Sequence, residues 1–370
     1  MRRWCRSVIS YVIILFVLCS VSVTEAFPQK SLLALGRDAF ANGQYLEAEG
    51  FLRGAVYSLE ADPTDHKDLV LALGDLGATL LAQSRYGEAE TFLDRSVSLL
   101  RNDPSIDSRY LPVILGNLGR LYVETGRLTK ADTVIEEAMR MGNSTLEQES
   151  THLAYLHATS GKLQLRLGNE KRAEREFKTA LGILEAHPGS DELVLAHVLP
   201  DLATLYYAQH KWALSEQALL RSLEIMERSP QQDQADISRV LGRLGLVYYR
   251  QKAFVRAEPV LRNAIALRQK LFGPEDPDNA LLSLALADIL VSHGKQLEAE
   301  DLYVTALQVQ ERTLGPRTAD VAGTLERFAV LLRKSNRPSM AKEMESRAES
   351  IRNELNLTIS MKGSRIWQLQ

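Results

Sequence analysis

An alanine flanked by charged residues returns at a fixed interval: Glu47-Ala48-Glu49, Glu88-Ala89-Glu90, Lys130-Ala131-Asp132, Arg172-Ala173-Glu174, Arg256-Ala257-Glu258 and Glu298-Ala299-Glu300, with Ser215 and Ala341 in the same column of two further copies. The first interval is 41 residues and the other six are 42. A period of this length means one supersecondary unit repeated about eight times, each copy burying its apolar face against its neighbours. Twelve residues before each alanine stands Gly36, Gly77, Gly119, Gly161, Gly245, Ala203, Ala287 or Ala329, and seven after it Ala55, Ala138, Ala180, Ala264, Ala306, Ala348, Ser96 or Ser222. The residue before the first small column is Leu35, Leu76, Leu118, Leu202, Leu244, Leu286 or Phe328, interrupted once by Ser160.

Small residues in two columns with leucines at helical spacing are what crossing helices require, because a larger side chain at the crossing holds the backbones apart. Aromatics make up only 6% of the chain, and Leu, Ala, Glu and Arg dominate, a helix-forming palette. Turns with glycine just past a predicted helix end fall at Ala41-Asn42-Gly43-Gln44, Glu124-Thr125-Gly126-Arg127, Arg166-Leu167-Gly168-Asn169 and His293-Gly294-Lys295. Between pairs, Pro63, Pro104, Pro188 and Pro230 share one column, and Pro274 and Pro316 another. Each repeat therefore reads helix, tight turn, helix, loop, and the fold class is all-α.

The Leu-Gly step, an aromatic or leucine three residues on, then an alanine and a second alanine seven later resemble the tetratricopeptide repeat pattern. The 42-residue period, with Leu271-Phe272-Gly273-Pro274-Glu275-Asp276-Pro277-Asp278 in a loop, is similar to the kinesin-light-chain variant of that family. The resemblance implies a right-handed superhelical solenoid of about eight helix hairpins, with repeats at about 29–62, 70–103, 112–145, 154–187, 196–229, 238–273, 280–315 and 322–356 and a tail at 357–370. It also implies a concave groove lined by the first helix of each pair that cradles a peptide or protein.

The N-terminus reads differently. Arg2, Arg3 and Arg6 precede an apolar run from Val8 to Val23, and Ala26 follows before Phe27-Pro28, the layout of a secretory signal peptide over residues 1–26. The expectation is export after cleavage behind Ala26; the alternative is an uncleaved signal anchor. Both cysteines, Cys5 and Cys19, fall inside this segment, so the processed chain has neither a disulfide nor a thiolate for metal or catalysis. The processed chain carries 41 basic against 46 acidic side chains and no global basic field for nucleic acid.

No metal-binding His-Glu-x-x-His run, phosphate-binding glycine loop or dinucleotide fingerprint occurs, and His152 and His157 lie five apart, off the spacing for two ligands on one helical face. The expectation is a non-enzymatic binding protein with no cofactor and no metal. In the family's register, Arg120, Lys162, Arg166, Arg239, Arg243 and Arg250 face the groove, with Asp201 and Glu124 the main acids beside them, and Tyr207 and Tyr249 as stacking anchors. This favours a protein or peptide partner with acidic segments, no nucleic acid, no membrane, and a monomer. Pro200 is expected to kink the first helix of the fifth repeat. Asn143-Ser144-Thr145, in a predicted loop, and Asn356-Leu357-Thr358 are acceptor sequences for N-glycosylation. The alternative function is a structural or envelope-assembly component that self-associates or docks through its outer helix faces; the scattered charges of the last helix, Glu343, Glu345, Arg347, Glu349 and Arg352, read as a polar cap and argue against end-to-end polymerisation.

Overall fold

The computed structural model describes residues 29–61, 66–147, 150–186, 192–228 and 233–355, so the signal segment, Asn356, the tail, Pro63, Pro188 and Pro230 lie outside the described residues. Within these residues there are sixteen helices and no strand, paired as hairpins. The chain divides into two compact units, Met1–Leu146 and Glu147–Gln370. The first holds α1 (Gln29–Ala41) with α2 (Tyr45–Ala61), α3 (His66–Ala82) with α4 (Tyr86–Asn102), and α5 (Tyr110–Glu124) with α6 (Leu128–Thr145). The second holds α7 (Thr151–Arg166) with α8 (Glu170–Ala186), α9 (Glu192–Ala208) with α10 (Trp212–Arg228), α11 (Gln234–Arg250) with α12 (Phe254–Phe272), α13 (Pro277–Ser292) with α14 (Gln296–Thr313), and α15 (Ala319–Lys334) with α16 (Pro338–Glu354). From the second pair onward, the first helix begins a few residues before the repeat start read from the sequence columns.

The small columns are helix crossings. A Cβ built on Gly77 would lie 2.6 Å from Leu93 Cγ, one on Gly245 2.6 Å from Leu261 Cδ2, and one on Gly119 2.4 Å from Ile135 Cγ1. Each of these partners lies on the second helix of the same hairpin. Gly119→Ala is therefore expected to cost about 1–3 kcal/mol by overpacking. Gly182→Ala, on α8 where nothing lies within 4 Å of the added methyl, should instead stabilise by about 0.5–1 kcal/mol through helix propensity. Urea titration of the two variants reads both signs; equal effects would show that the crossing is not tight.

All eight hairpin turns put one residue in the left-handed region, at Gly43, Ser84, Gly126, Gly168, His210, Lys252, Gly294 and Asn336, with φ between 56° and 80°. The residue after it donates its N–H to the carbonyl five residues back, as Arg127 does to Tyr122 and Lys211 to Tyr206, both at 2.8 Å, closing the helix end in a Schellman motif. Four of these positions are not glycine. The packing of the two helices on either side imposes the same turn whether or not the residue prefers it.

Pro200 sits in the interior of α9, and the helix runs through it without interruption. A proline leaves the carbonyl four residues earlier without its helical donor. That carbonyl, Ala196 O, accepts from Ser222 Oγ at 2.7 Å, and Ser222 is the serine standing in for alanine in its column. The hydroxyl replaces the lost N–H across the hairpin.

Two features break the apolar pattern of the buried columns. Asp38 on α1 is exposed at a position whose counterparts Thr79, Leu121, Leu163, Leu205, Val247, Ile289 and Leu331 are all buried, and α16 exposes Lys342, Glu343 and Glu349. These polar outer faces suit terminal repeats, which have a neighbour on one side only. Arg268 on α12 occupies a column that holds Leu100, Leu184 and Met226 in three other repeats and the buried Gln310 in the next. Arg268 is 6% exposed. Its Nε donates to Asp276 Oδ2 at 2.7 Å and its Nη2 to Asp278 Oδ2 at 2.5 Å, tying the end of α12 to the start of α13.

The sequon at Asn143 does not lie in a loop: it forms the last turn of α6, where Thr145 Oγ1 donates to Met141 O at 2.8 Å. Bonding of this kind back to the preceding turn lets a threonine end a helix rather than break it early.

Candidate peptide-binding face

The first helices of the second unit carry the residues singled out for a groove except Arg120, and neighbouring repeats are joined there by polar side chains about one period apart. Asp201 on α9 lies 3.7 Å from Lys162 on α7 and 3.6 Å from Arg243 on α11. Arg243 Nη1 also donates to the Pro200 carbonyl at 2.9 Å. Arg250 Nε donates to Tyr207 Oη at 2.7 Å. His197 Nδ1 lies 3.3 Å from Asp236, which also pairs with Arg239. Further along, Tyr249 donates to Asp288 Oδ2 at 2.6 Å and Arg327 Nη1 lies 3.3 Å from the same oxygen, while Tyr303 on α14 donates to the other oxygen.

This geometry changes the expected picture in four ways. The cations have more opposing charge than expected: Asp236, paired with Arg239, joins Asp201 as a counterion, while Asp288 pairs with Arg327 on α15, outside the expected set. Tyr207 is 3% exposed, so it is a packed strut for Arg250 and not a stacking anchor; its ring also meets Trp212 edge-on at 4.6 Å. Tyr249 stays half-buried with its hydroxyl committed to Asp288. Arg120 belongs to the first unit, whereas Lys162, Arg166, Arg239, Arg243 and Arg250 belong to the second. Arg166 is half-buried and has no ion-pair partner among the described residues.

Burial pushes the Tyr249 and Tyr303 hydroxyls well above the usual phenol range, and the Asp288 charge adds to it. Both phenols thus stay protonated donors. Burial also raises the Asp278 carboxyl, against the pull of Arg268.

Asp288 left a sequence signal that was not used. It is the one charged residue between Asp278 and His293, in a helix of leucine and alanine. A second missed pattern runs along the second helices, where the acid following the column alanine pairs with the turn residue one repeat later. Glu49 pairs with Arg85 at 2.7 Å, Glu90 with Arg127 at 2.7 Å, Glu258 with Lys295 at 3.1 Å and Glu300 with Arg337 at 2.5 Å. Arg127 holds Glu90, and Arg337 holds Glu300, below the ordinary carboxylate range; Glu258 is held at about 2 by Arg262 and Lys295. Among the described residues no group of His, Cys, Asp or Glu has the arrangement of a metal site, and no helix is long and apolar enough to cross a membrane.

No curated protein sequence matches this chain. Solved structures do. The quorum sensor NprR from B. thuringiensis, in its apo form, is 13% identical over 92% of this chain and 93% of its own, with a TM-score of 0.59. The apo form of RapI is 13% identical over 77% of both chains, with a TM-score of 0.60. Kinesin-light-chain TPR-like repeats from Podosopora anserina are 18% identical over 54% of this chain and 94% of theirs, with a TM-score of 0.42. The first two likenesses are of fold. A tetratricopeptide repeat family model matches residues 191–269 and 236–307, and a second model of the same description matches residues 113–141. The stretches 113–141 and 191–307 are therefore tetratricopeptide repeats, in a chain whose remaining helix pairs share their column pattern and hairpin turn.

Proposed function

We propose that this chain is a non-enzymatic interaction scaffold that holds a partner peptide or protein against the first-helix face of its second unit, outside the cytosol, and that the partner segment is acidic. Tetratricopeptide-type helix hairpins are generally protein-interaction scaffolds, and no catalytic family is indicated. The observation that carries the acidic preference is the balance on α7, α9 and α11. Lys162, Arg166, Arg239, Arg243 and Arg250 stand on them, against Asp201, the buried Asp236 in the first turn of α11 and Glu192 at the start of α9. A surplus of positive charge on partly desolvated helices attracts carboxylates at short range. The signal-like segment at 1–26 supports export.

Binding of a fluorescein-labelled oligoglutamate peptide tests the site. The double variant Arg239→Glu/Arg243→Glu is expected to weaken binding at least about 10-fold and to flatten its dependence on salt, while Arg317→Glu, on the loop before α15, leaves it unchanged. Unaltered affinity in a double variant with native circular dichroism would reject the basic face as the binding site.

A further inference from the structure

On α7, α9 and α11, Asp201 is the one carboxylate that is both in the interior of its helix and accessible. Glu192 stands at the start of α9, 3.8 Å from Arg228 on α10, and Asp236 is 5% exposed. Asp201 sits between two cations of neighbouring repeats and hydrogen-bonds to neither in a close geometry. Its oxygens are 3.7 Å from Lys162 Nζ and 3.6 Å from Arg243 Nη1, longer than a charge-assisted hydrogen bond of about 2.7–2.9 Å. All three side chains are half-buried, between 16% and 22% exposed. Arg243 does not depend on Asp201 for its position, because the adjacent Pro200 carbonyl accepts from its guanidinium at 2.9 Å.

We propose that Asp201 is an internal stand-in for a ligand carboxylate: it occupies the space between Lys162 and Arg243 that an acidic residue of the bound partner takes, and so sets how acidic that partner must be. This deepens the acidic-peptide reading of the same face and rests on it. Loose ion pairs of this length contribute little to folding, so Asp201 is displaced at small cost. While it stays, it repels an incoming carboxylate. Only a segment with several acidic residues, or one acid placed to form direct bonds to both cations, competes with it effectively. The carboxylate thereby lowers affinity for weakly acidic segments and sharpens discrimination.

Asp201→Asn keeps the shape and removes the charge. Labelled oligoglutamate is expected to bind this variant about 10-fold more tightly than the parent chain, with a steeper salt dependence, whereas a labelled oligoglutamine peptide gains nothing. A structural role for Asp201 alone would lower the unfolding midpoint without changing the glutamate-to-glutamine preference. Unchanged or weakened oligoglutamate binding by folded Asp201→Asn, or no binding to either chain, overturns the stand-in. Asp201→Ala gives a second reading at the same position. Loss of binding in Arg239→Glu/Arg243→Glu combined with an indifferent Asp201→Asn would leave the basic face standing and remove only this inference.

Discussion

Replacing Arg268 by methionine is expected to lower stability by about 3–5 kcal/mol, the usual cost of removing one partner from a buried ion pair. Methionine fills the column as Met226 does one repeat earlier, so the loss comes from stranded charge and not from a cavity. Asp276 is 9% exposed and accepts from Arg268 at 2.7 Å and 3.1 Å; without the guanidinium it and Asp278 lose their bonded countercharge at the start of α13, and only the coulombic pull of Arg239 and Arg243 on Asp278 remains. The pH dependence gives a second readout with a defined sign. Burial already raises the Asp278 carboxyl, and Arg268 opposes that rise. Deleting Arg268 lets it climb further above its unfolded value. A carboxyl raised in the folded state favours folding where it is protonated and opposes it as pH rises through the folded pKa. The deficit of Arg268→Met relative to the parent chain should therefore be largest at neutral pH and narrow toward acid. Urea titrations of both chains at a series of pH values measure this difference; a constant deficit would mean that the carboxylates find other partners.

Asp288→Ala should cost about 2–4 kcal/mol, less than a fully buried pair because the carboxylate is partly exposed. The side chain accepts from Tyr249, Tyr303 and Arg327, so its loss leaves one buried and one half-buried phenol without an acceptor and loosens contacts among three successive repeats. Asp288→Asn, which keeps an acceptor but loses the charge, should recover a substantial part of the deficit. A double-mutant cycle with Arg327→Met isolates the ionic contribution, expected near 1 kcal/mol because Arg327 is 29% exposed and 3.3 Å away. Hydrogen exchange of α13 and α15 should quicken in Asp288→Ala, with α7 unaffected, because repeat arrays transmit stability mainly to neighbours. Uniform protection would contradict a local lock.

Much of the architecture was legible because the repeat multiplies each signal. One small residue in a helix means little, but eight in register, twelve residues before a column alanine, require a crossing, and the structure places Leu93, Ile135 and Leu261 against Gly77, Gly119 and Gly245. Glycine turns were legible for the same reason. Ser84, His210, Lys252 and Asn336 were not, since a non-glycine residue in the left-handed region carries no sequence mark as plain as glycine's and is held there by its hairpin.

The groove was legible as a set of positions and not as a set of partners. The columns identified Lys162, Arg243 and Arg250, but Asp288 meets Arg327 from a neighbouring first helix, and Asp236 meets His197 across repeats as well as Arg239 one turn along α11; the cross-repeat distances depend on how far one repeat rotates on the next. Tyr207 shows the same limit. Its column faces the groove, yet Trp212 and Arg250 close over it.

The amino-acid order alone determined the all-α class, the length of the unit, the crossings and the glycine-marked hairpin turns, because those follow from contacts within one repeat and its copy. Which charges meet, which phenols are covered and which carboxylate stands between two cations were decided by tertiary structure. Many such contacts join residues about forty positions apart, and ångström differences in the packing of one hairpin on the next separate a salt bridge from two solvated side chains.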